Sequence, residues 1–86
     1  MLIGDPEHPP NHIIFLEHLP NDSTDEMVEV LFNQFEGYKE VRMIPTRKDL
    51  AFVEFATSAN ATKAKEALDK FQVTPTNVLK ITYAKM

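Results

Sequence analysis

Two phenylalanines carry the chemistry this sequence can do. Phe15 lies in an apolar run from His12 to Leu19, and Phe52 in a second run from Leu50 to Phe55. If the two runs are neighbouring strands and the small Ala51 faces the interior, alternation places Phe15 and Phe52 together on the outer face. Two solvated rings in the middle of a sheet form a platform for unpaired bases, worth roughly 1–3 kcal/mol per stacked base. The structural alternative is a pair of rings covered by a terminal tail or a partner, since exposed aromatics otherwise cost solubility. Arg42 and Lys80 fall on the same face and suit phosphate or base edges. Arg47, Lys48 and Lys85 sit at its rim, and Leu50 adds an apolar contact. Glu17, Glu40 and Glu54 share the face with Arg42 and Lys80, leaving it one net negative charge, in a chain of net charge −4. Such a surface gains little from counterion release, the main source of non-specific nucleic-acid affinity.

Other chemistries find no residues. The chain has no cysteine, which removes disulfides, thiolate metal sites and cysteine nucleophiles together. His8, His12 and His18 are interrupted by Pro9-Pro10 and joined by no carboxylate cluster, so no metal site is expected. With only Gly4 and Gly37, there is no glycine-rich phosphate loop, and neither a nucleophile elbow nor a paired-carboxylate site is present. No catalysis and no cofactor are expected. No run approaches the roughly 20 apolar residues of a membrane-spanning helix. The first residues, Met1 to Asp5, also lack the basic-then-apolar pattern of a signal peptide.

The elements that must position these side chains can be read in order. Residues 1–11, with Pro6, Pro9 and Pro10, read as an extended leader or linker, and 12–86 as one domain. His12 to Leu19 is apolar on both faces, as a central strand would be. Ser23-Thr24-Asp25-Glu26 reads as a capping box with Ser23 at the cap. The helix after it places Met27, Leu31 and Phe35 on one stripe, with Val28 and Phe32 beside it, and ends at Gly37. Lys39 to Ile44 predicts a second strand, Pro45 to Asp49 a connection, and Leu50 to Phe55 a third, central strand. A second helix starts near Thr57 or Ser58 on the stripe Ala61, Ala64, Leu68 and Phe71, with Glu66 and Lys70 paired on its wet side. Gln72 to Asn77 reads as a loop, and Val78 to Ala84 as the last strand. The order is βαββαβ: an α+β, ferredoxin-like sandwich with two helices on one face of a four-stranded antiparallel sheet. Its other face is left open.

Two segments of this pattern resemble the signature motifs of the RNA recognition motif (RRM) family. Ile14-Phe15-Leu16-Glu17-His18-Leu19 is similar to the hexamer, and Lys48-Asp49-Leu50-Ala51-Phe52-Val53-Glu54-Phe55 to the octamer. Leu31 to Phe35, Lys39 to Pro45, Ala51 to Phe55 and Lys80 to Lys85 further resemble the C-terminal RRM of the spliceosomal U1 snRNP protein A and U2 snRNP protein B″ family. The resemblance spans about residues 10–85. It implies a nuclear RNA-binding module of a splicing ribonucleoprotein, contacting single-stranded RNA or snRNA as an auxiliary to another RRM. Phe15 and Phe52 would take the stacking positions.

The departures point to weak binding. Asp49 replaces the octamer's usual glycine, Leu50 its third aromatic, and His18 the hexamer's usual asparagine. The rival expectation is an RRM-fold protein-interaction module with little RNA affinity, which other snRNP proteins could engage. Some RRM-like domains bind peptides through an acidic helix and an Arg-x-Phe loop. Here Asp25, Glu26 and Glu29 supply the acid, but Asp69-Lys70-Phe71-Gln72-Val73 contains no arginine. Acylphosphatases share the topology but hold phosphate with an arginine in the first strand–helix loop, and Glu17 to Asp22 has none. The isolated domain is expected to be a monomer.

Overall fold

A computed structural model describes residues 10–84. The strands are β1 (Ile13–Glu17), β2 (Tyr38–Ile44), β3 (Arg47–Phe55), β4 (Gln72–Thr74), β5 (Asn77–Val78) and β6 (Lys80–Tyr83), and the helices α1 (Asp25–Phe32) and α2 (Ser58–Leu68). The main sheet runs β2-β3-β1-β6 and all its neighbours are antiparallel, while β4 and β5 form a small hairpin of their own. This is the βαββαβ sandwich that the sequence predicts, with β1 and β3 central and the β4–β5 hairpin inserted ahead of the last strand.

The core lies between one sheet face and the two helices. Ile14 and Leu16 of β1, Ala51, Val53 and Phe55 of β3, and Leu79 and Ile81 around β6 meet Val28 and Phe32 of α1 and Ala61, Ala64 and Leu68 of α2. Phe32 and Phe55 pack edge to face with ring centroids 6.5 Å apart, and Tyr38 packs edge-on against Phe55 at 6.2 Å. Ala51 faces the helices, fully buried.

Several local expectations are corrected. Thr24, not Ser23, caps α1: its Oγ1 accepts from the Met27 amide at 3.3 Å, and its φ and ψ of −120° and 163° are those of an N-cap. Ser23 is buried instead, and its hydroxyl donates to the Pro20 carbonyl. The deep stripe of α1 is Val28 and Phe32; Met27 is exposed and Leu31 and Phe35 only half-buried. Because α1 already ends at Phe32, Gly37 is not its cap. It takes φ +85° in the turn into β2, where a Cβ would collide with Asn60 Oδ1.

The second helix matches its expected start, with Thr57 Oγ1 accepting from the Asn60 amide at 3.1 Å. It stops earlier than the stripe suggests. Lys70 turns to φ +68°, so Phe71 leaves the stripe and stands exposed, and no Glu66–Lys70 ion pair forms among the described residues. The Lys70 amide donates to the Leu79 carbonyl at 2.7 Å and the Leu79 amide to the Phe71 carbonyl at 2.8 Å, closing the segment that carries the hairpin. The expected loop over 72–77 is therefore largely strand. The expected connection at 45–49 is a tight turn at Pro45-Thr46, and β3 starts at Arg47 with a register irregularity beside Ile44. Asn11, at the end of the expected leader, is tied to the sheet: its Nδ2 donates to the Ala84 carbonyl at 2.9 Å. Residues 1–9 of that leader, and Lys85, lie outside the described residues.

Candidate nucleic-acid interface

Strand register builds the open face in rows. Arg42 pairs with Phe52, Phe52 with Phe15, and Phe15 with Thr82, so one row crosses all four strands. Toward one end, Glu40 faces Glu54, which faces Ile13. Toward the other, Glu17 faces Lys80. The rings of Phe15 and Phe52 are 5.1 Å apart, centroid to centroid, and tilted by 43°. Both lie outside the helix-side core, as alternation requires.

The rings are less solvated than the sequence suggests. Phe15 is 6% exposed and Phe52 half-buried. Both rings have a neighbour on each side of the row, but Phe15 lies between Phe52 and the buried Thr82, whereas Phe52 borders the exposed Arg42. Phe52 therefore presents the more accessible ring and Phe15 backs it. Leu50, on the same side of β3, is half-buried.

The charges on this face are largely paired. Glu40 and Glu54 stand directly opposite one another, an unfavourable arrangement in a sheet. Arg42 Nη2 lies 2.8 Å and its Nε 3.0 Å from Glu40 Oε2, and His12 Nε2 lies 3.7 Å from Glu54 Oε2, an ion pair only when the imidazole is protonated. Lys80 Nζ is 3.7 Å from Glu17. At the rim, the Arg47 guanidinium forks onto both oxygens of Asp49, at 2.9 and 2.8 Å. Those hydrogen bonds hold the Asp49 carboxyl below its ordinary range and push the Arg47 guanidinium further up. Lys48 is exposed and forms no ion pair among the described residues.

The structure thus brings Phe15, Phe52, Arg42, Leu50 and Lys80 together on one face and keeps Arg47 and Lys48 at the β2–β3 end. It also shows residues that the sequence does not single out. Asp49, read as a missing glycine, is a clamp on Arg47. Thr82 is 2% exposed and its Oγ1 has no hydrogen-bond partner among the described residues. Alternation alone places Thr82 on this face, but an unpaired hydroxyl there depends on its neighbours across β1. Among the described residues, no three His, Cys, Asp or Glu side chains group to hold a metal ion. Among the described residues, no helix is long and apolar enough to cross a membrane.

A face of this construction, on this topology, is that of an RNA recognition motif. The profile of that family matches residues 14–80, and the chain belongs to it. Among curated proteins it is 54% identical over 79 residues to the U1 small nuclear ribonucleoprotein A of Drosophila melanogaster, covering 92% of this chain and 37% of that protein. It is 42% identical over 81 residues to the U2 small nuclear ribonucleoprotein B″ of Oryza sativa subsp. indica, covering 94% of this chain and 35% of the relative. The chain thus spans little more than a third of the relatives it matches. Among solved structures, the third RRM of Gbp2 superposes with a TM-score of 0.82 at 20% identity, over 95% of this chain and 84% of that one, which shows the fold. The C-terminal RRM of MEC-8, solved bound to AGCACA, superposes with a TM-score of 0.76 at 26% identity, over 88% of this chain and 93% of that one.

Proposed function

We propose that this domain is a non-enzymatic RNA-binding module of a nuclear, spliceosomal snRNP protein, contacting single-stranded RNA weakly through its sheet face and supporting another RRM. The observation that carries this reading is the Phe15–Phe52 pair, set in register on the two central strands on the face away from the helices. A base stacks on Phe52, with Phe15 behind it and Leu50 as a passive apolar neighbour. Arg42 and Lys80 reach phosphates or base edges, and Arg47 and Lys48 approach the backbone at the rim.

Weakness follows from the ion pairs. Arg42, Lys80 and Arg47 each already have a carboxylate partner, so a phosphate must displace Glu40, Glu17 or Asp49. Few counterions are then released, and the affinity supplied by the phosphate backbone is small. A weak second site still raises the affinity of a two-domain protein, because tethering makes its binding intramolecular.

Titration of the isotope-labelled chain with a single-stranded RNA octamer, followed by NMR, tests this. Saturable shifts along the Arg42–Phe52–Phe15–Thr82 row support the reading. An unmoved sheet face at millimolar RNA refutes it. A specific observation favours protein interaction as the second reading: an apolar groove of about 440 Å³ between α1 and the β4 region, lined by Met27, Val30, Leu31, Phe71 and Val73 among others. Val30 there is 70% exposed.

A further inference from the structure

We propose that the cavity at the outer edge of β6 is a phosphodiester site that receives the RNA chain as it leaves the sheet face; this rests on the sheet-face reading above. The cavity, of about 350 Å³, is lined by Lys65 of α2, Lys70 after it, and Lys80 of β6, with His18, Asp69 and Thr82 beside them. Three of the nine Lys and Arg residues of an acidic chain therefore converge on one depression.

Their engagement differs from that of the sheet-face arginines. Lys65 and Lys70 form no ion pair among the described residues, and Lys65 Nζ lies 5.4 Å over the Tyr83 ring. Among the described residues, Asp69 is the one carboxylate lining the cavity, and its Oδ1 accepts from the Ile81 amide at 3.0 Å. That bond caps an outward-facing donor on the edge strand and draws the carboxylate toward the backbone. The Lys80–Glu17 contact, at 3.7 Å, is looser than either arginine pair. Lys70 is fixed beside β6 by its left-handed backbone and its amide bond to Leu79.

The second observation is Thr82. It lines the same cavity, and its hydroxyl is a hydrogen-bonding group with no partner. Buried polar groups are ordinarily paired, and an unpaired hydroxyl in the lining of a cavity that three lysines share suits an anionic oxygen. Thr82 is also the register partner of Phe15, so stacking row and cavity are continuous across strands roughly 4.8 Å apart. A chain stacked on Phe52 and Phe15 and running toward β6 meets this edge next.

The test compares the chain with a Lys65→Gln/Lys70→Gln variant, using a single-stranded RNA octamer, a tetramer and inorganic phosphate as probes. The octamer is expected to shift the Lys70 and Val78 amides along with the sheet row, the tetramer the sheet row alone. For the octamer, the slope of log K against log salt should flatten by about 1.4 in the variant, at roughly 0.7 per phosphate contact on a single strand. Sheet shifts with Lys70 and Val78 unmoved, and an unchanged slope, overturn the edge site and leave the sheet reading standing. Edge shifts with a silent sheet face overturn the sheet reading and, with it, the path from sheet to edge. Inorganic phosphate shifting Lys70 and Val78 as strongly as the octamer at equal phosphate concentration overturns the assignment to RNA.

Discussion

Phe15 and Phe52 are register partners on adjacent central strands, their rings 5.1 Å apart, yet their exposures differ. Substitution should separate the two roles. Phe15→Ala removes a ring that is 6% exposed and should cost stability as well as binding, on the order of 2–4 kcal/mol. Phe52→Ala should cost less than half of that. Urea denaturation of both variants measures the difference, and equal losses would mean that Phe52 is as structural as Phe15.

Thr82 offers a test of opposite sign. Its buried hydroxyl has no partner, so replacing it with the near-isosteric, strand-favouring valine removes an uncompensated desolvation cost. Thr82→Val should stabilise the domain by about 1 kcal/mol in chemical denaturation. A destabilised variant would show that the hydroxyl is satisfied in solution.

The Arg47–Asp49 fork links charge to pH. The folded-state carboxyl titrates below its ordinary value of 3.8, so its contribution to stability is present above that value and is lost as pH falls through the lowered one. The stability gap between the natural chain and Asp49→Asn should therefore be constant near neutrality and close below about pH 3.8. The same substitution releases Arg47, so RNA binding at neutral pH should become steeper in salt by about 0.7 in slope. Denaturation at several pH values and binding at several salt concentrations check the two halves separately.

Gly37 should tolerate no side chain. Its φ of +85° disfavours L residues, and a Cβ would press on Asn60, which is bonded to the α2 cap Thr57. Gly37→Ala should destabilise by about 2 kcal/mol or more, read as a lower melting temperature.

The element order was legible from the apolar runs and the breaks between them, whereas Leu50 to Val53 are apolar on both sides, so the inward face of β3 rested on the small Ala51 facing the helices. The caps were only partly so. Ser23 and Thr24 are both good capping residues, and the choice turned on the Pro20 carbonyl, which takes the Ser23 hydroxyl. Phe71 continues the spacing of Ala61, Ala64 and Leu68, but the backbone bonds of Lys70 and Phe71 to Leu79 override that periodicity. The facing of Phe15 and Phe52 could be read from local alternation. Their exposure could not, since it depends on neighbours from other strands. The carboxylate partners of Arg42, Arg47 and Lys80, and the gathering of Lys65, Lys70 and Lys80, arise only from side-chain placement in the folded chain.

The central claim, that RNA stacks on the sheet face, is tested most directly by the affinity of Phe52→Ala for a single-stranded RNA octamer, measured against the natural chain at low salt. Loss of one stacked base predicts roughly a tenfold weaker Kd, about 1.4 kcal/mol, with the folded spectrum preserved. An unchanged Kd in a folded variant would contradict the account.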